Sequence, residues 1–131
     1  MRPIKFRGID EEAGDWVFGY YFKDDVWANI LVGNTPFKVN PETVGQSLER
    51  DDRQGIPIYE GDIRKITLPV GGFWGSTGAE KIGVIEWNDD TSMFVIRWGY
   101  SKNQHHCDDS EDIFYTSVLL GNIHDNPELI K

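Results

Sequence analysis

The sequence predicts a mainly β protein, a β-rich N-terminal portion followed by a small C-terminal barrel, and three observations lead there. Aromatic residues make up 13% of 131 positions within a hydrophobic share of 39%, enough for a packed core and weighted toward the side chains that strands favour. The apolar runs are short and are broken by Gly, Asp, Asn and Pro, as in chains that fold into many short strands. Helix start signals stand out in only one place, near the C-terminus.

Taken in order, residues 4–6 form a first short strand ending at Gly8-Ile9-Asp10, and the acidic stretch 10–15 reads as a hairpin turn. Residues 16–22 are an aromatic-rich strand, Asp24-Asp25 turn the chain, and 26–32 run back. Gly33-Asn34-Thr35-Pro36 turns it again before 37–39. Residues 40–57 are polar and interrupted by Pro41, Gly45, Gly55 and Pro57, so they read as a connector with at most a short strand near Val44. This divides the chain into 1–57, the N-terminal portion with its connector, and 58–131.

In the second part Tyr59-Glu60-Gly61-Asp62 is a turn that starts a strand over 63–68, and a Gly-rich loop fills 69–79. Strands over 81–87 and 93–98 flank a five-residue loop, 88–92. Period-2 alternation puts Phe94, Ile96 and Trp98 on the expected core face. A polar loop, 101–112, leads to a last strand over 113–120. Asn126 caps a single helical turn with Pro127 in its first position, where a missing N–H costs nothing. Four strands with a long first loop, a short second hairpin and a terminal turn have the loop order of an SH3-like barrel.

Charge and cysteine content narrow the function classes. Thirteen basic residues face 22 acidic ones, a formal net of −9, which disfavours binding to a phosphate backbone and serves solubility. Acidic mimicry of nucleic acid is the sharper alternative. The lone Cys107 forbids an internal disulfide, the opening MRPIKFRG lacks an apolar leader, and no run approaches the roughly 20 residues of a membrane helix. A bacterial cytoplasm is the expected compartment, with no membrane partner.

No catalytic residue, cofactor or metal site is expected. The residue types that would have to supply a metal site are His105, His106, Cys107 and Asp108, but on an extended chain only alternate members converge. The acidic neighbourhood of Cys107 raises a thiol pKa, which works against a Cys–His nucleophile. The Asp pairs at 24–25, 51–52, 89–90 and 108–109 read as turn formers. Residues 71–78 lack the Lys-Ser/Thr of a phosphate loop, but their Phe73 and Trp74 are candidate partner contacts. Trp16, Trp27, Trp87 and Trp98 read as core, and Arg2, Lys5 and Arg7 at the N-terminus and Arg64 with Lys65 on a strand as small surface patches.

Several segments together resemble the YopX-like family of phage and prophage proteins. They are the opening MRPIKFRGID, TVGQ at 43–46, Asp52, Gly55, IYEGDI at 58–63, GVIEW at 83–87 and LLGNIHDNPEL at 119–129. Ile9 stands where the family opening carries Trp, and 47–52 departs from the family's Y-T-G-L-K-D. The resemblance implies a β-rich N-terminal portion, a C-terminal SH3-like barrel and a phage or prophage gene, and it implies no activity. Gly61, Gly121, Asn122 and Pro127 read as turn and cap residues. The expected function is a non-enzymatic interaction module that binds a protein partner or self-associates, possible homo-oligomers included. The alternatives are single-strand binding or mimicry of nucleic acid, and a metal-dependent enzyme at His105, His106 and Cys107.

Overall fold

The computed structural model describes residues 4–67, 80–101, 104–108 and 111–130; for 99–101, 104–108 and 111–112 it describes the backbone alone. The chain is mostly β, with two antiparallel sheets, and divides into two compact units, Met1–Glu49 and Arg50–Lys131.

In the first unit β1 (Phe6–Ile9), β2 (Trp16–Lys23), β3 (Ala28–Val32) and β4 (Thr35–Val39) form a meander in the spatial order β4-β3-β2-β1-β5. Its tight connections come from the Asp- and Gly-bearing turns: Gly14 N–H donates to Asp10 O, and Asp24 Oδ1 accepts the N–H groups of Val26 and Trp27. The meander curls back on itself. Asp10 bridges to Val39, Glu11 N–H donates to Lys38 O at 3.0 Å, and Asn40 N–H donates to Ile9 O at 2.9 Å. Inside this curl sit Ala28, Ile30 and Val39, with Phe6, Val17 and Val44 packed against them. A fully buried Ile30 contributes roughly 1.5–3 kcal/mol.

The connector is more ordered than its polar sequence predicts. Asn40 caps a 3-10 turn at Pro41–Thr43 by accepting Glu42 N–H, and Thr43 Oγ1 accepts Ile9 N–H at 2.9 Å. β5 (Gly45–Asp51) then runs alongside β1 in the first unit and, past Glu49, lies beside β6 (Pro57–Tyr59). Backbone pairing needs no apolar side chain, which is why GQSLERD makes a strand that composition hides.

The second unit holds a five-stranded sheet, β10-β9-β8-β7-β11, formed by β7 (Asp62–Thr67), β8 (Glu80–Asn88), β9 (Met93–Ser101), β10 (Gln104–Asp108) and β11 (Val118–Asn122). Closure into an SH3-like barrel is not what forms. The sheet stays open because β10, in the stretch read as a polar loop, takes the outer edge of β9. Ile96 and Trp98 are buried as expected, Phe94 is only half-buried, and Val95 on the other face is buried too. Asn88 pairs with Met93, so the hairpin loop has four residues rather than five. Residues 113–116, read as strand, belong to helix α1 (Glu111–Thr116). Ile113 and Phe114 are adjacent and both buried, which a helical step of about 100° accommodates on one face; a strand covered on both faces buries neighbours too, as Val95 and Ile96 show, so the apolar pair alone does not distinguish the two.

Candidate functional site

β2 reads WVFGYYFK, and alternation sends its side chains to two different environments. Tyr21 is opposite Ile30 and Lys23 opposite Ala28, so Val17, Tyr21 and Lys23 share the core face. Phe18, Tyr20 and Phe22 therefore point outward, and they are 46%, 47% and 41% exposed. The neighbouring positions on this face are Arg7 on β1, opposite Phe18, and Leu31 on β3, opposite Tyr20, and of these Arg7 is buried at 8% exposure. Arg7 lies 4.7 Å over the half-buried Trp16 ring, and Lys38 Nζ lies 4.5 Å over the Trp27 ring, itself 41% exposed. None of β1 to β4 contains Asp or Glu; the carboxylates of this unit sit in the turns, at 42 and at 49. The result is an exposed aromatic strip on an acidic protein, with Arg7 buried beside it and Lys38 engaged with Trp27 and Asp24.

The sequence carried a signal for this strip. Seven residues, 16–22, contain no charged or amide side chain, while an antiparallel strand with one buried face has only half its positions inside. Reading all four tryptophans as core was wrong for Trp27 and Trp87, at 41% and 46% exposure, and right for Trp98 at 4%.

The strongest polar constellation lies in the second unit and is buried. Arg64, read as part of a surface patch, is fully inaccessible. Its Nη1 donates to Asp52 Oδ2 at 2.9 Å and to Ser117 Oγ at 3.1 Å, and Nη2 donates to Pro57 O at 3.4 Å and lies 3.6 Å from Asp62 Oδ2. Asp52 Oδ1 accepts the N–H groups of Gln54 and Ile56, closing the turn that follows β5. Burial pushes the Asp52 carboxyl up, but Arg64 and those two backbone donors outweigh it and hold the group below its ordinary value. Ser117 Oγ donates to Phe114 O, so the guanidinium ties the connector to the end of α1. This network has every mark of a structural tie: no face of it opens to solvent.

Of the sequence candidates, Phe73 and Trp74 lie outside the described residues. His105, His106, Cys107 and Asp108 fall on the edge strand β10, with their side chains outside the description. Among the described residues no group of three or more His, Cys, Asp or Glu is placed to hold a metal ion, and no helix is long and apolar enough to cross a membrane. An open hollow beside the β8–β9 hairpin is lined by Glu86, Asn88, Asp89 and Asp90. Glu86 is already engaged by Arg97 at 2.6 and 2.7 Å, and the Trp87 ring packs edge-on against Phe94 at 5.0 Å.

The GNIHDNPEL segment is a self-contained turn. Asn122 Oδ1 accepts from His124 and Asp125 N–H, and Asn126 Oδ1 accepts from Asn122 N–H at 3.3 Å. Gly121 leaves the space that Asn126 Oδ1 occupies, and Pro127–Ile130 is the short terminal helix. Ile123 N–H donates to Gly61 O, which joins this segment to the IYEGDI turn. These are the turn and cap roles expected of Gly61, Gly121, Asn122 and Pro127.

Two antiparallel sheets, a buried Arg–Asp tie and a motif-built terminal turn define a small all-β protein whose ordered polar chemistry serves the fold. The chain belongs to the YopX protein family, which it matches over residues 5–131. Among solved structures it is similar to the crystal structure of protein EF1440 from Enterococcus faecalis, at 19% identity and a TM-score of 0.50 with all of both chains covered. That likeness concerns the fold. No curated protein matches the chain.

Proposed function

We propose that the protein is a non-enzymatic interaction module, phage- or prophage-encoded and acting in the bacterial cytoplasm, that engages another macromolecule through the outward strip of β2. The observation that carries this reading is the row Phe18, Tyr20 and Phe22, each more than two-fifths exposed on a single strand. Rings in that position contact water at a cost that burial against a partner recovers, and contiguous apolar surface of this kind marks interaction sites. The resolved polar clusters support the same reading, since their carboxylates and guanidinium are committed to turns and to each other.

The test is site-specific photo-cross-linking in bacteria producing the full chain, with a photoreactive phenylalanine at position 20 or 22 and, as a control, at position 87. Adducts with another macromolecule at 20 and 22 and not at 87 are expected. Equal labelling at all three positions, or none at 20 and 22, overturns the proposal.

A further inference from the structure

We infer that the macromolecule covering the β2 strip is a second copy of this chain, the two sheets meeting face to face in a two-fold contact centred on Tyr20. The inference rests on the reading that this strip is the binding surface and names its occupant.

The outward face is wider than one strand. Register sets Leu31 and Pro36 in line with Tyr20, and Asn29 and Lys38 in line with Phe22. Trp27, two residues before Asn29, falls on the same face. Phe18, Tyr20, Phe22 and Trp27 are each more than two-fifths exposed. An aromatic side chain has roughly 150–250 Å² to bury, so these rings with Leu31 and Pro36 still offer about 400–500 Å² per chain. Over two chains that reaches about 1,000 Å², the lower bound for a specific interface. A flat pleated face is best covered by another sheet, about 10 Å away with its strands within about 30°. A second copy supplies such a face with the same twist.

Charge then selects the partner. The cations of this face are already engaged: Arg7 is buried over the Trp16 ring, and Lys38 stands over Trp27 and near Asp24. Lys5, at the margin, has the Glu49 carboxylate beside it, its N–H donating to Oε1 at 3.2 Å. The face therefore offers little to phosphates or to an acidic segment. What it does have is distance from carboxylates. None lies on β1 to β4, and Asp24 and Asp15 are four and five residues from Tyr20. At ~3.4 Å per residue they stand ~14–17 Å away along the strand, well beyond the screening length of about 8 Å at physiological salt. For a chain of net charge −9 this separation decides how two copies can meet. Contact through the turns would press like charges together, while contact through the strip leaves them at a solvated rim, as in other interfaces.

An area at the lower bound makes the association modest, with a Kd on the order of 10–100 μM. Screening of the acidic rims makes it tighten as salt rises from about 50 to 500 mM, the reverse of an ion-paired contact.

The test is sedimentation equilibrium of the full chain across that concentration range, with charge-swap variants at the centre of the contact. Wild type is expected to pass from one chain's mass to two. Tyr20→Glu and Tyr20→Lys, each placing like charges face to face, are expected to lose at least tenfold in affinity, and Trp87→Glu none. An equimolar mixture of the two Tyr20 variants is expected to associate again, because opposite charges then meet across the axis. Tyr20→Ser, which adds no charge, is expected to weaken the dimer at least fivefold, and circular dichroism confirms that every variant folds. A single-chain mass at all concentrations, a dimer indifferent to Tyr20→Glu and Tyr20→Ser, or folded variants that fail to associate when mixed overturns the inference. In the cross-linking experiment the expected adduct at position 20 is a covalent dimer of this chain. Adducts there with a different macromolecule, from a chain that sediments as a monomer, would keep the strip as an interaction surface and remove the second copy as its occupant. Absence of both removes the two together.

Discussion

Replacing Asp52 by Ala should be among the most damaging single changes in the second unit, and the structure gives the scale. The carboxylate is paired with Arg64 at 2.9 Å and neither side chain is exposed at all. Removing one partner of a buried ion pair typically costs about 3–5 kcal/mol, because the remaining charge is left without compensation. Arg64 is poorly placed to absorb the loss, since its Nε already has no hydrogen-bond partner among the described residues. The N–H groups of Gln54 and Ile56 also lose their acceptor, adding roughly 1 kcal/mol. With a urea slope of about 1–2 kcal/mol per molar, the unfolding midpoint falls by roughly 2–6 M. Urea unfolding followed by circular dichroism, with amide exchange at Ile63 and Ile66 as a local probe, measures it. The double variant Asp52→Ala/Arg64→Met should recover part of the loss, because no charge is then left buried. A loss below about 1 kcal/mol for Asp52→Ala, or no recovery in the double variant, would refute a buried, paired Arg64.

Three further outcomes follow from the same geometry. The Asp52 carboxyl is held below its ordinary 3.8, so its contribution is complete above that pH and is lost as acid protonates it; Asp52→Asn should flatten the acid limb of a stability–pH curve below about pH 4, read from urea midpoints. Gly19→Ala drives a Cβ into the carbonyl oxygen of Leu31, part of the paired strand and unable to move aside, so a loss of about 2–3 kcal/mol in thermal or urea unfolding is expected. Glu86→Gln breaks a bidentate contact with Arg97, but both side chains are more than a third exposed, so the change should stay within about 1 kcal/mol in the same assay.

The meander β2 to β4 was legible because its turns are written in Asp, Asn and Gly and its strands in rings and branched residues. The terminal turn was legible for the same local reason, Asn126 before Pro127. What escaped was set at long range. GQSLERD becomes β5 through backbone pairing with β1, and the strand-like Ile113-Phe114 pair lies in a helix with both side chains buried. Arg64 looked like surface charge because nothing in its own strand reveals that Asp52 and Ser117, 12 and 53 positions away, converge on it. The aromatic strip was half legible: the rings were plain, and which of them face outward depended on which face the curl of the meander encloses.

The segments that relate this chain to its family and the residues that could meet a partner occupy different places. Asp52 and Asp62 close turns around the buried Arg64, and Gly61, Gly121, Asn122 and Asn126 build the linked turns at the end of the second sheet. Each is consumed by hydrogen bonds within the fold, so retaining them specifies an architecture. Phe18, Tyr20, Phe22 and Trp27 belong to none of those segments, and each is more than two-fifths exposed. A stability scan and a binding scan of this protein should therefore separate by position. Substitutions at the turn residues lower the unfolding midpoint, while substitutions at Tyr20 and Phe22 leave it within about 0.5 kcal/mol and alter only what the strip holds. If Tyr20→Leu destabilised the chain as much as a core truncation, the strip would be part of the packing, and the division between architecture and contact would fail.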